Sequence, residues 1–81
     1  MNLEQILINR EQVIFDFKKS VQISEIELRE AMRLYSFNGS SSTAYFKGKK
    51  LKVGVIVISG IYKIYHVGGT SVDSTYYLQK R

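Results

Sequence analysis

The chain of 81 residues has no cysteine, no tryptophan and a single histidine, His66. Without cysteine it forms neither disulfides nor thiolate metal sites, a composition that fits a reducing cytoplasm. One histidine, with Asp16 and Asp73 far apart in the chain, makes no ligand cluster of known spacing, so neither a metal nor another cofactor is expected. Long apolar runs are missing as well. The longest, Val55 to Ile58, falls far short of the ~20 residues of a spanning helix, and no membrane span is expected. The first residues, MNLEQILINREQ, lack a basic segment followed by an apolar block, so no signal peptide is expected and the chain is read as cytoplasmic.

Catalytic patterns are equally scarce. His66-Val67-Gly68-Gly69-Thr70-Ser71 comes nearest, since glycine-rich backbone can face a phosphate and histidine can act as a base, but no lysine follows the glycines as a P-loop requires. No G-x-S-x-G elbow accompanies the serines. Glu25, Glu27 and Glu30 suit the start of a helix better than a paired-carboxylate site. An enzyme is not expected.

Acidic residues are few where basic ones are many. Residues 1–40 hold five Lys/Arg and six Asp/Glu, whereas residues 41–81 hold seven Lys/Arg and one acid, Asp73. The net charge of +5 therefore belongs to the second half, and such asymmetry points to an anionic partner, nucleic acid above all. Lysines on exposed strands also guard against edge-to-edge aggregation, which is the plainer reading.

What is present outlines one small globular domain, 1–81, with 44% apolar residues and mean hydropathy near zero. Residues 1–40 read as mostly helical and near neutral, residues 41–81 as a basic antiparallel sheet. Ser24 and Glu27 have capping-box spacing, and Leu28, Ala31, Met32 and Tyr35 share a helical face, so a helix is expected from Ser24 to Phe37 with Asn38-Gly39 as its stop. Ser40 to Ser42 then reads as a linker. Met1 to Lys18 fits a helical stripe with Asn2 and Gln5 at its cap, while Val13-Ile14-Phe15-Asp16-Phe17 alternates as a strand does; residues 11–18 stay open between helix and strand, and a short helix followed by a strand is expected.

Thr43 to Val67 reads as three strands joined by turns at Gly48-Lys49 and Ser59-Gly60, with a last strand at Ser74 to Gln79. Two-residue loops would set Tyr45 opposite Lys52, Ala44 opposite Val53 and Gly54 opposite Tyr65. Side chains then sort by parity. Ala44, Phe46, Leu51, Val53, Val55, Val57, Tyr62, Ile64 and His66 form a core face, on which the capped helix packs. Tyr45, Lys47, Lys50, Lys52, Gly54, Lys63 and Tyr65 form the opposite face, with Ile56, Ile58 and Ile61 towards the second turn. The expected fold is α+β: an N-terminal helical segment and one capped helix on one face of a three- to four-stranded antiparallel meander.

The function expected is non-enzymatic binding of nucleic acid, DNA or RNA. Lys47, Lys49, Lys50, Lys52 and Lys63 would meet phosphates, and Tyr45 and Tyr65 would stack on bases. A homodimer pressed together at Ile56, Ile58 and Ile61 would leave the lysines around a groove. The alternative is a protein-interaction module, a small regulator or inhibitor that docks on an acidic partner protein through an exposed strand or the isoleucine patch.

Overall fold

A computed structural model of the chain describes residues 1–68 and 74–81. Two helices and six strands follow in the order α1 (Leu3–Asn9), β1 (Gln12–Phe15), β2 (Lys18–Ile23), α2 (Glu25–Leu34), β3 (Phe37–Phe46), β4 (Lys49–Ile58), β5 (Tyr62–Val67) and β6 (Thr75–Lys80). The strands are antiparallel and close into a barrel in the order β1-β2-β6-β5-β4-β3. This corrects the open three- to four-stranded α+β meander. The first forty residues supply a hairpin, β1-β2, that adds to β6 on one side and meets β3 on the other. Of the glycine-rich string after His66, residues 69–73 lie outside the described residues.

The two helix starts follow the local signals. The Asn2 side chain accepts from Gln5 N–H at 3.1 Å, and Ser24 and Glu27 form a complete capping box: Glu27 N–H donates to Ser24 Oγ at 3.1 Å and Ser24 N–H donates to Glu27 Oε1 at 2.9 Å. Between them the chain passes through β1, so the segment at 11–18 resolves as strand and turn after a short helix. The far end of α2 departs from expectation. The helix stops at Leu34, Tyr35 is extended, and Asn38, Gly39 and Ser40 to Ser42 are β3 rather than a helix stop and a linker. These residues have weak strand propensity, but β4 offers a ladder from Lys49 to Ile58 and all of Phe37–Phe46 pairs with it.

Both tight turns take the mirror-image form that suits strand twist, with positive φ at Lys47 and Gly48 and at Ser59 and Gly60. In the first, glycine stands second, so the loop is Lys47-Gly48 and Tyr45 lies opposite Lys50. That differs from the expected register by two residues, an even shift that preserves the faces. In the second, Ile61 N–H donates to Ile58 O, yet Ile58 pairs with Tyr62, leaving Ile61 as an extra residue. This odd shift exchanges the faces of β5. Tyr65 lies opposite Val55 and points inward, whereas Tyr62, Ile64 and His66 join Ile56 and Ile58 outside; Gly54 is faced by His66, whose Cβ would stand 3.3 Å from a Cβ added there.

The chain consequently builds two apolar clusters, one on each side of the barrel wall. Inside, Phe15, Ala44, Val53, Val55 and Tyr65 are buried together. Outside, α1 and α2 roof the other side of the wall, where Leu3, Leu28 and Ala31 bury Val21, Ile23, Ile58, Ile64 and Leu78. The helices thus pack on the isoleucine side of β4, not on its valines, because β4 is apolar on both parities.

Arg10 joins the two helical ends by a two-pronged ion pair to Glu27 and donates to Gln22 O. Hydrogen bonding from Arg10 is the main reason why the Glu27 carboxyl is lowered to about 2. A carboxyl depressed on folding stabilises fully above its unfolded value near 4.5, and that contribution is lost as pH falls towards about 2. Thermal melts between pH 7 and pH 2 should therefore show Glu27→Gln less stable than the parent at neutral pH, with the gap closing below pH 4.5.

Candidate functional site

The site grows from the place where the barrel closes. Phe15 is wholly buried and its ring is surrounded by Tyr65, Phe46 and Tyr77, with centroids at 4.2, 5.4 and 5.5 Å. β1 and β3 meet at one register pair, Phe15 opposite Phe46. Two buried polar groups hold this closure. Gln79 Nε2 donates to Phe15 O at 2.8 Å, and the Tyr65 hydroxyl donates to Asp16 Oδ2 at 3.0 Å and lies 3.3 Å from Gln79 Oε1. Burial first, and then the Asp16 carboxylate, push the Tyr65 hydroxyl far above its ordinary pKa, so it stays a donor at all physiological pH.

This anchoring presents the β1-β2 turn outward. Asp16 and Phe17 both have positive φ, at 51° and 64°, a region costly for any side chain and unusual for a bulky one. Asp16 N–H donates to Tyr45 O across the seam. Phe17 is 80% exposed and its ring lies 5.2 Å from that of Tyr45, itself 38% exposed. An exposed pair of aromatic rings therefore stands on the outer wall at the seam.

Lysines flank the pair: by parity Lys19, Lys50 and Lys52 share the outer face with Tyr45, whereas Lys18 and Lys49 share the side of Phe15 and Phe46. Lys50 is opposite Tyr45, Lys52 is opposite Thr43, Lys49 is opposite Phe46, and Lys47 occupies the turn with Nζ 5.5 Å from the Phe46 ring. Across the seam Lys18 and Lys19 open β2, opposite Phe15 and Ile14. All six are exposed. Among the described residues none takes part in a salt bridge, for the four ion pairs are Arg10–Glu27, Arg29–Glu25, Arg33–Glu30 and Lys80–Glu4. Next to Lys52 the outer wall has a shallow cleft of about 310 Å³ lined by Ser41, Ser42, Thr43, Gly54 and His66. His66, expected in the core, is half-buried there, with Nε2 2.8 Å from Ser74 Oγ.

Of the residues singled out in the sequence, the fold brings Tyr45, Lys47, Lys49, Lys50 and Lys52 together. Two others lie apart. Tyr65 is 2% exposed inside the barrel, and Lys63, opposite Val57 and Gln79, has its Nζ 5.9 Å from the Tyr65 ring. Both follow β5 inward because of the extra Ile61. The isoleucine patch is also dispersed: Ile58 is wholly buried, Ile56 packs against the same roofed cluster, and only Ile61, at 47%, is exposed. Sequence reasoning missed Phe17, Lys18 and Lys19. The signal was the string Phe15-Asp16-Phe17-Lys18-Lys19, an aromatic-then-lysine pattern that Tyr45-Phe46-Lys47-Gly48-Lys49-Lys50 repeats.

Comparison with protein-family models, with curated proteins and with solved structures finds no match for the chain. Among the described residues no cluster of His, Asp and Glu could hold a metal ion, and no helix is long and apolar enough to cross a membrane.

Because the turn is tied from inside, Tyr65→Phe should loosen it. Removing the hydroxyl leaves Asp16 without its inward donor, a loss of roughly 1–3 kcal/mol for a part-buried group. Denaturant unfolding should register that cost, and amide exchange should quicken at Asp16 and Phe17 more than in α2.

Proposed function

We propose that the seam patch binds nucleic acid, with single strands as the preferred form. One observation carries this reading: the exposed ring pair Phe17 and Tyr45 has Lys19, Lys50 and Lys52 on its own face and Lys18, Lys47 and Lys49 at the adjoining turns, and among the described residues none of the six joins an ion pair. Lysines without partners suit phosphates, and exposed rings suit bases that are free to unstack. Four acids, Glu4, Glu25, Glu27 and Glu30, are engaged by Lys80 and by arginine, and Asp16, beside Phe17, accepts from the Tyr65 hydroxyl inside the barrel.

The conformation of Phe17 adds weight. Glycine, asparagine or aspartate would occupy its left-handed backbone more cheaply, and an unfavourable residue held in place by its surroundings suggests a functional demand. A ring there serves no burial, because four-fifths of it faces solvent. As a contact surface it has an evident use.

A homodimer that offers two such ring pairs belongs to the same proposal. Docking on an acidic protein would use the same lysines without needing the rings, so the two readings separate at Phe17.

Fluorescence-anisotropy titrations with mixed-sequence single-stranded and duplex DNA and RNA, at two salt concentrations, test the proposal. Binding should weaken with salt with a log-log slope of about −0.7 per phosphate neutralised on a single strand. The double change Lys50→Glu and Lys52→Glu should abolish binding and leave the melting temperature near that of the parent. Phe17→Gly should weaken binding by about 1–3 kcal/mol, the scale of one stacked base, while stability holds or rises as the left-handed strain is relieved. Salt-insensitive binding, equal competition by polyglutamate, or full affinity in Phe17→Gly would overturn it.

A further inference from the structure

Among the described residues, nothing pairs with one side of β3 between Phe37 and Thr43. β4 runs along the whole of the other side, and β1 meets β3 at Phe46 alone. The backbone groups that face the open side follow by parity. Tyr45 O accepts from Asp16 N–H across the seam, so Tyr45 turns its backbone groups away from β4. Alternate residues of an antiparallel ladder do the same, which adds Thr43, Ser41, Gly39 and Phe37. Their N–H and C=O groups have no backbone partner among the described residues, and all seven residues from Phe37 to Thr43 are exposed.

Open edges of this kind are ordinarily blunted by lysine, proline or a bulge. This one has none of them. The chain holds no proline, and 34–46 is its longest stretch without Lys, Arg, Asp or Glu. In a molecule of net charge +5, with lysines on the neighbouring strand β4, a charge-free edge lets a second cationic copy approach without setting lysine against lysine at the contact.

We infer that this edge pairs with the same edge of a second copy, antiparallel, about a two-fold axis through Ser40. The register that overlaps the whole open segment sets Phe37 opposite the second copy's Thr43 and Gly39 opposite its Ser41. Both members of each pair belong to the outward set, so each exchanges two N–H···O bonds, about eight over the four symmetric pairs. Gly39, Ser40, Ser41 and Ser42 are small enough for the backbones to reach the ~4.8 Å spacing of neighbouring strands. A foreign peptide bound for its sequence would need pockets for alternate side chains along the whole edge, and the cleft beside Ser41 to Thr43 does not extend to Phe37, Asn38, Gly39 or Ser40. The pairing rests on the backbone alone and does not depend on the nucleic-acid reading. It also places the interface away from the isoleucines, which the helices cover.

Ser40 is the residue that faces itself, and the test uses that. Sedimentation velocity on the full chain over a range of concentrations should show monomer passing to dimer. Ser40→Lys alone and Ser40→Glu alone put like charges opposite each other and should weaken the dimer several-fold, whereas an equimolar mixture of the two should restore it. Restoration by mixing also shows that both variants are folded. Ser41→Pro removes an outward N–H without breaking a bond to β4, and should give a monomer with an unchanged melting temperature. A parent chain that stays monomeric up to millimolar concentration overturns the inference. So does a dimer indifferent to all three substitutions, or a monomer that instead takes up an extended peptide of another protein along β3.

Discussion

The hydrogen bond from the Tyr65 hydroxyl to Asp16 crosses the barrel interior and secures its weakest point. β1 and β3 share one register pair, too little backbone bonding to hold a seam. The seam holds because Phe15 fills the centre of an aromatic cluster and because Gln79 and Tyr65, from the opposite wall, satisfy Phe15 O and the Asp16 carboxylate. Buried polar groups are costly when unmet, so this pair favours one closure over slipped alternatives in which Tyr65 or Gln79 would lack a partner. Everything at the surface of the seam inherits that constraint. Phe17 keeps its left-handed backbone and its place beside Tyr45 because Asp16 is tied on both sides, through its carboxylate inward and its N–H to Tyr45 O.

Closure also explains how so short a chain buries two apolar clusters. β4 alternates valine inward with isoleucine outward, so its wall is apolar on both sides. A sheet of that kind needs cover on both faces. The barrel covers one by wrapping it, and the two helices cover the other. Their roof reaches the half of the wall that carries Ile58, Ile64 and Leu78, and leaves bare the half that carries Tyr45, Lys50 and Lys52. The candidate site is that bare half, joined at the seam by the β1-β2 turn.

Charge follows the same division. On the helical side acids and bases meet as Arg10–Glu27, Arg29–Glu25 and Arg33–Glu30, pairs that neutralise one another. On the bare side lysines stand without such partners among the described residues, and their mutual repulsion is a cost to the folded chain that an anionic ligand would relieve. The open edge of β3 adjoins this region but carries no charge of its own, so a polyanion site and a self-pairing edge are compatible on one molecule.

Local chemistry was legible in the sequence wherever it acts over a few residues. The S-x-x-E spacing at Ser24 foretold the capping box, Asn2 the first cap, the valine and isoleucine runs β4 and β5, and a two-residue turn followed by alternation the common face of Tyr45, Lys50 and Lys52. What lay beyond it was decided by contacts distant in sequence. Phe15 has no local reason to seek Phe46, and Asn38 to Ser42 have no intrinsic preference for a strand; each takes its place because a partner elsewhere offers packing or a ladder. One extra residue, Ile61, then sent Tyr65 inward and His66 outward, since parity propagates along a strand from a single turn. Caps and propensities are set by the nearest few residues, so the sequence alone determined them. Closure, register and the meeting of Phe17 with Tyr45 depend on long-range packing whose free energy exists only once the barrel has formed, and these the tertiary structure decided.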